Sequence, residues 1–415
     1  MTNNIDLSKY FRKTIHYGFF ISLLFSLIAG LFLYGFIVNK GFNFADELAA
    51  LLYSFTYIIY CLTNKKIGKE FIYFFIIILF YFFYGLCYGQ NINKAVITDF
   101  FIILKPFIVF YASYYITFQF THKEKRIIKF LIIVCSLLAF TIGIRGQTTI
   151  EIYFQHVAQF ASCMTAFSLL YLYFSKGDKK DILIAFIILS IGLLSSRSKF
   201  YGFYVCYIVL FFSQIKLNTK KLLNAKTIFI LIITIGIILL VVKEKMYSYI
   251  ILGGIEANDD SMFARPALYV GMINILEKYP LLGCGMGSYA SFGSALYYSP
   301  IYERFGLSNI YGLQPNYPDF ITDTFFPCFA QYGIIGIYIF YIFWKKRIQE
   351  AKKYFTKKSN TFFYYKICIL ILCFFIIESL ADSTFTQNRG MFIMGILGII
   401  LKDGRINYYQ NLKSN

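Results

Sequence analysis

Residues 17–38 read YGFFISLLFSLIAGLFLYGFIV, without one Asp, Glu, Lys, Arg or His. About 20 apolar residues in a helix cross the hydrocarbon core of a bilayer. In lipid only helices and closed barrels satisfy every backbone group, and this run is far longer than a barrel strand. It therefore reads as a membrane-spanning helix. It is too long for a cleavable signal peptide and lacks a small-residue cleavage site.

The rest of the chain repeats the pattern. Further apolar runs fall at 47–63, 71–89, 95–118, 127–144, 153–175, 181–196, 200–215, 227–243, 324–344, 361–381 and 386–401. Hydrophobic residues make up 58% of the 415, and aromatic residues 21%. The expected fold is all-α: a polytopic integral membrane protein of about twelve transmembrane helices, with one large extracytoplasmic loop between the ninth and tenth. That divides the chain into residues 1–243 (helices one to nine), 244–323 (the loop) and 324–415 (helices ten to twelve and a cytoplasmic tail). No internal repeat is evident.

The formal net charge is +19. A basic balance of that size suits nucleic acid, but its placement argues against it. The cations gather in alternate short loops, as in Lys123, Lys125, Arg126 and Lys129, or Lys345, Lys346 and Arg347. That is the positive-inside pattern. It places both termini in the cytoplasm and the large loop on the outer face, and it leaves no nucleic-acid partner. Trp344, the single tryptophan, then falls at the inner end of the tenth helix, where an interfacial anchor belongs. The nine cysteines lie mostly in apolar runs with no CxxC pair, and only Cys284 sits well inside the loop. No metal site, cofactor or disulfide framework is expected.

Cations expected on the outer face go against the sorting rule, so they are the informative ones. Arg197 and Lys199 sit in the tight turn between the seventh and eighth helices. A guanidinium there suits bidentate phosphate binding, or it snorkels to the interface. Arg265 opens an amphipathic loop helix with Pro266 at its first turn and Leu268, Met272, Ile275 and Leu276 on one face. It binds an anion or is a solvated residue beside a cap. Gly283, Gly285 and Gly287 follow, as a backbone-approach element or a plain turn.

Other ionisable residues invite the same double reading. Asp99 and Lys105 lie inside the fourth helix, about 120° apart, and need not pair with each other. Glu378 and Asp382 share a face opposite Arg389, as a local salt-bridge cluster or a site. His156 is the one histidine expected on the outer face, either catalytic or structural. Asp323, where the loop re-enters the membrane, either activates a hydroxyl or caps a helix.

Three segments together resemble the O-antigen polymerase and ligase superfamily of membrane glycosyltransferases (the Wzy/WaaL type). LLSSRSKFYGF from Leu193 resembles its helix pair with a serine–arginine turn. ARPALYVGMINILEKYPLLGCGMGSY from Ala264 resembles its loop helix and glycine element. DTFFPCFAQYGIIGIYIF from Asp323 resembles its re-entry helix. The likeness covers roughly residues 191–344. It implies an undecaprenyl-diphosphate-linked glycan as donor, bound through its diphosphate by Arg197 and Arg265, with Lys199 beside them. It implies metal-independent inverting transfer at the outer face of a bacterial inner membrane, with membrane lipid and a chain-length regulator protein as partners. Ligases of this family carry a His-Asn pair where this chain has Thr322-Asp323, and 244–323 holds no histidine. The polymerase is therefore favoured over the ligase, which uses lipid A-core as acceptor, with Asp323 and Arg265 as catalytic candidates and His156, Lys105 and Arg389 as further ones. A flippase or other transporter is the rival of a different class.

Overall fold

The computed structural model describes residues 2–41, 44–212, 263–355 and 361–414. Their regular structure is helical, with turns and irregular backbone between the helices and an isolated bridge between Gln314 and Tyr317 as the only β pairing among them. The helices are α1 (Thr2–Leu27), α2 (Tyr34–Asn39), α3 (Ala45–Asn64), α4 (Lys69–Tyr88), α5 (Asn93–Tyr115), α6 (His122–Ile144), α7 (Gln147–Phe154) and α8 (Val157–Tyr173). Then follow α9 (Lys179–Ile191), α10 (Ser198–Phe212), α11 (Ala264–Lys278), α12 (Phe292–Leu296), α13 (Ile301–Arg304), α14 (Gly333–Phe355), α15 (Phe362–Ser379) and α16 (Asn388–Ser414).

Six stretches among the described residues are long and apolar enough to cross a membrane: Tyr10–Phe32, α3, α4, α5, α6 and α15. The described residues form the all-helical bundle of a multi-pass membrane protein. Its outward faces fit that setting. The α4 side chains Tyr73, Ile76, Phe80 and Phe83 stand exposed, as do Phe130 and Leu137 of α6, and lipid is the solvent in which such faces cost nothing. Helix α8 is shorter, and every one of its residues is buried inside the bundle. The expected ninth helix, 227–243, lies outside the described residues.

The structure corrects several expected bounds. The re-entry helix was expected at 324–344, but Pro327 sits in a 3-10 turn (Phe326–Gln331) and α14 begins only at Gly333. Gly333 has φ +64, and a Cβ there would meet the Leu281 carbonyl at 2.3 Å. Trp344 is therefore mid-helix and buried against Phe340, Phe343 and Phe375, not an interfacial anchor. The run 153–175 breaks at Gln155, whose φ is +62. The run 17–38 widens into a π turn at Ile28–Phe32 before α2.

The bundle closes around α5 and α16, which pack along each other. Gly398 makes this possible: a Cβ there would lie 2.5 Å from the Phe110 carbonyl. Small residues allow such close helix contact in membranes. Buried charges tie further helices together. Lys105 of α5 donates to Asp46 at 2.5 Å and Glu47 at 2.8 Å on α3. Arg347 of α14 meets Glu70 of α4 at 2.5 Å. Lys105 and Asp99 thus serve different partners, as their spacing implied.

The glycine element is a packing knot. Gly283, Gly285 and Gly287 all have positive φ. Cys284 donates to the Ala330 carbonyl at 3.0 Å, and Gly285 to that of Gln331 at 3.1 Å. Tyr84 and Asn91 donate to the Gly283 and Gly287 carbonyls. The loop is thereby sewn to the α4–α5 turn and to the start of α14. A Cβ on Gly285 would sit 2.5 Å from the Gly89 Cα, at φ +92. Gly285→Ala is expected to lower stability by more than about 1 kcal/mol, read as a lower melting midpoint in detergent. An unchanged midpoint would mean that the knot can open without cost.

Candidate functional site

A cavity of about 750 Å³ lies where the first half of the chain meets the second. Arg197, Arg265, Asp323, His156, Lys105 and Arg389 all line it, together with Asp46, Glu47, Asp99 and Asp382. Residues scattered over most of the chain's length thus face one space. Lys199 does not line it.

One wall is cationic. Arg197 follows Ser196, whose left-handed backbone (φ +52) turns the chain from the 3-10 segment Gly192–Ser195 into α10. The Arg197 guanidinium is loosely held: its nearest carboxylate oxygen, on Asp382, is 3.8 Å away, and its Nε is buried without a partner. Burial first, then the nearby Arg389 and Arg265, weaken its hold on the proton, while Asp382 and Glu378 strengthen it; the net direction is down. Arg265, at the start of α11, donates to Asp323 at 2.8 Å. Tyr269 to the Leu380 carbonyl, and Tyr289 to that of Leu268, hold α11 in place.

Asp382, which also lines the cavity, gathers Arg389 and Lys199. It accepts from Arg389 at 2.7 Å, Lys199 at 3.2 Å and Thr384 at 3.1 Å. Burial alone would raise its pKa, but Arg389, Lys199 and Arg197 hold it well below the usual carboxylate range. The Lys199 ammonium also takes the Ala381 carbonyl and Glu378, at 2.9 and 3.2 Å, so it braces the turn after α15. Arg389 reaches Gln159 at 3.2 Å. The π turn explains how α16 and α8 attach to α1. It widens the helix and presents the Gly30 and Leu31 carbonyls to Asn388 and Gln159, at 2.5 and 3.3 Å. Such π turns cluster at functional sites.

Asp323 is not a helix cap. It lies well before α14, and its carboxylate faces Arg265. Burial raises its pKa, and Arg265 offsets that only in part. His156 caps α8, its Nδ1 accepting from the Ala158 amide at 3.1 Å. The surrounding protein, then the Arg197 and Arg389 cations, push its imidazole down to about 4. It is neutral at ordinary pH, as that cap requires.

Acidic groups line the cavity too. Asp46 and Glu47 share the ammonium of Lys105, and Asp99 stands apart from that cluster with other partners. Asp46, Glu47, Gln159 and Gln331 were not singled out in the sequence. Two acids at the head of an apolar run were the signal for the first pair; the two glutamines gave none. Among the described residues, no group of three or more His, Cys, Asp or Glu is arranged to hold a metal ion.

A second, apolar cavity of about 250 Å³ runs between α4, α5 and α14. It shares Ile103, Phe325 and Cys328 with the first, so the polar and apolar spaces adjoin. No protein-family model matches the chain, and no curated protein matches it.

Proposed function

We propose that the protein is a glycosyltransferase that polymerises undecaprenyl-diphosphate-linked oligosaccharide repeats into O-antigen or a related surface polysaccharide. The observation that carries this reading is the convergence of Arg197, from the turn before α10, and Arg265, from the start of α11, on one cavity that adjoins an apolar groove. A lipid diphosphate has that chemistry: an isoprenoid chain for the groove and an anionic headgroup for two guanidiniums.

In this reading the donor diphosphate takes up Arg197 and Arg265. An acceptor hydroxyl attacks the anomeric carbon, the bond to the diphosphate breaks, and the electron pair stays on the leaving diphosphate. Arginines aimed at that developing charge lower the barrier. Arg265, drawn to the diphosphate, loosens its grip on Asp323. The freed carboxylate, already raised by burial, takes the hydroxyl proton. One displacement inverts the anomeric centre. Lys199 contributes charge from behind, and Arg389 holds Asp382 in place.

The same reading places the chain in a bacterial inner membrane with about twelve spans, both termini cytoplasmic and residues 244–323 outside. A chain-length regulator is its expected protein partner. The test is a surface-glycan gel from a strain lacking the gene. Core carrying a single repeat, with the ladder gone, supports polymerisation. Bare core with polymer stranded on lipid means ligase activity. An unchanged ladder removes the glycosyltransferase reading.

A further inference from the structure

Two side chains that line the cavity each spend one polar atom on the fold and leave the other without a well-formed hydrogen bond. Asp99, 1% exposed, accepts the Gly293 amide on Oδ1 at 2.7 Å. Its Oδ2 is buried with no well-formed hydrogen bond, although the Ser291 hydroxyl and the Gly287 backbone amide interact with the carboxylate. Gln331, 0% exposed, accepts the Ser288 amide on Oε1 at 3.0 Å. That backbone donor fixes the orientation of the side-chain amide, so its Nε2 faces away and is buried with no partner. Both residues line the cavity.

Buried polar groups in folded proteins almost always find partners, so an orphan that lines a cavity is a place where a water or a ligand can complete the set. Here the orphans are one acceptor and one donor. Together they match a hydroxyl that gives a hydrogen bond to a carboxylate and receives one from an amide, as sugar hydroxyls do. A phosphate would be repelled by Asp99 and is served by Arg197 and Arg265. The cavity is therefore lined by two chemically distinct sets of groups, the guanidiniums of Arg197 and Arg265 and the hydroxyl-seeking pair Asp99 and Gln331.

We infer that Asp99 and Gln331 form the acceptor subsite, binding hydroxyls of the non-reducing sugar of the incoming repeat while the arginines hold the donor diphosphate. This rests on the polymerase reading and deepens it. The two residues are binding residues that select and orient the acceptor; the proton still leaves to Asp323.

The side-chain geometry supplies unusually clean variants. Asp99→Asn keeps the oxygen that accepts from Gly293 and turns only the free acceptor into a donor. Gln331→Glu keeps the oxygen that accepts from Ser288 and turns the free donor into an acceptor. The full-length protein would be placed in lipid nanodiscs. Its donor is the lipid-linked repeat extracted from a strain lacking the gene. Its acceptor is the same repeat freed of lipid by mild acid, which has a non-reducing end but no diphosphate. The expected result for Asp99→Asn is a rise of about tenfold in the acceptor KM, with the donor KM and the melting midpoint unchanged. Gln331→Glu should move the acceptor KM the same way. An unmoved acceptor KM in both variants overturns the subsite, as does a donor KM that rises in step or a lowered midpoint in Asp99→Asn. Absence of chain extension by the wild-type protein strikes instead at the polymerase reading itself, and the subsite falls with it.

Discussion

Replacing Arg197 with alanine is expected to cut polymer formation by roughly 10²–10³-fold while protein levels stay normal. The magnitude is that of removing one preorganised donor aimed at charge developing in a transition state. The structure gives a reason to single out this residue. Arg389 and Lys199 already have short contacts to Asp382, and Arg265 has Asp323 at 2.8 Å. Arg197 has a carboxylate only at 3.8 Å and a buried Nε without a partner. A guanidinium left this loose stabilises little in the resting fold, so its loss should cost little stability. What it retains is capacity to bind an incoming anion. Arg197→Lys should fall between wild type and alanine, because it keeps the charge and loses the planar fork. Arg265→Ala should also abolish polymer, but it strands Asp323 and is the less clean variant. A normal glycan ladder from Arg197→Ala and Arg265→Ala alike would remove the diphosphate argument.

The contrast between these arginines shows what was legible in the sequence. That Arg197 and Arg265 are candidates follows from cations expected where the positive-inside pattern disfavours them. Which is held and which is loose depends on Asp382 and Asp323, whose distances no spacing rule supplies. Helix existence was legible for the same reason that the membrane class was, since unbroken apolar runs leave few alternatives. Breaks were less so. The left-handed residues Gln155 and Ser196 are not glycines, and nothing local announces them. The glycine element carried a real signal, but its meaning lay in Gly89, Ala330 and Gln331, distant in sequence and visible only once the chain has closed on itself. Asp99 was legible as a costly intramembrane charge; Gln331, an uncharged residue near an apolar helix, was not.

Asp382→Ala should produce the largest loss of stability, about 3–5 kcal/mol, the usual cost of removing one partner from a buried charge pair. Asp382 is 8% exposed, and three cations converge on it: Arg389 at 2.7 Å, Lys199 at 3.2 Å and Arg197 at 3.8 Å. Without it, Lys199 still has Glu378 at 3.2 Å and the Ala381 carbonyl, while Arg389 keeps only neutral partners, Thr384 and Gln159. The penalty should therefore fall mainly on Arg389, buried at 6% exposure between α16 and α8. Adding Arg389→Met to Asp382→Ala should recover part of the loss, because the stranded charge is then gone; such coupling is the signature of an interacting pair. The wild-type protein carries the same information in its pH dependence. Since the native carboxyl is held below its ordinary value of 3.8, the unfolded chain takes up the proton first. The contribution of Asp382 is therefore complete above that pH and drains away as pH falls beneath it. Denaturant titration in mixed micelles, run on the two single variants and the double, measures the coupling directly. Strictly additive losses would mean that the Arg389–Asp382 contact at 2.7 Å is not what holds α16 against the turn.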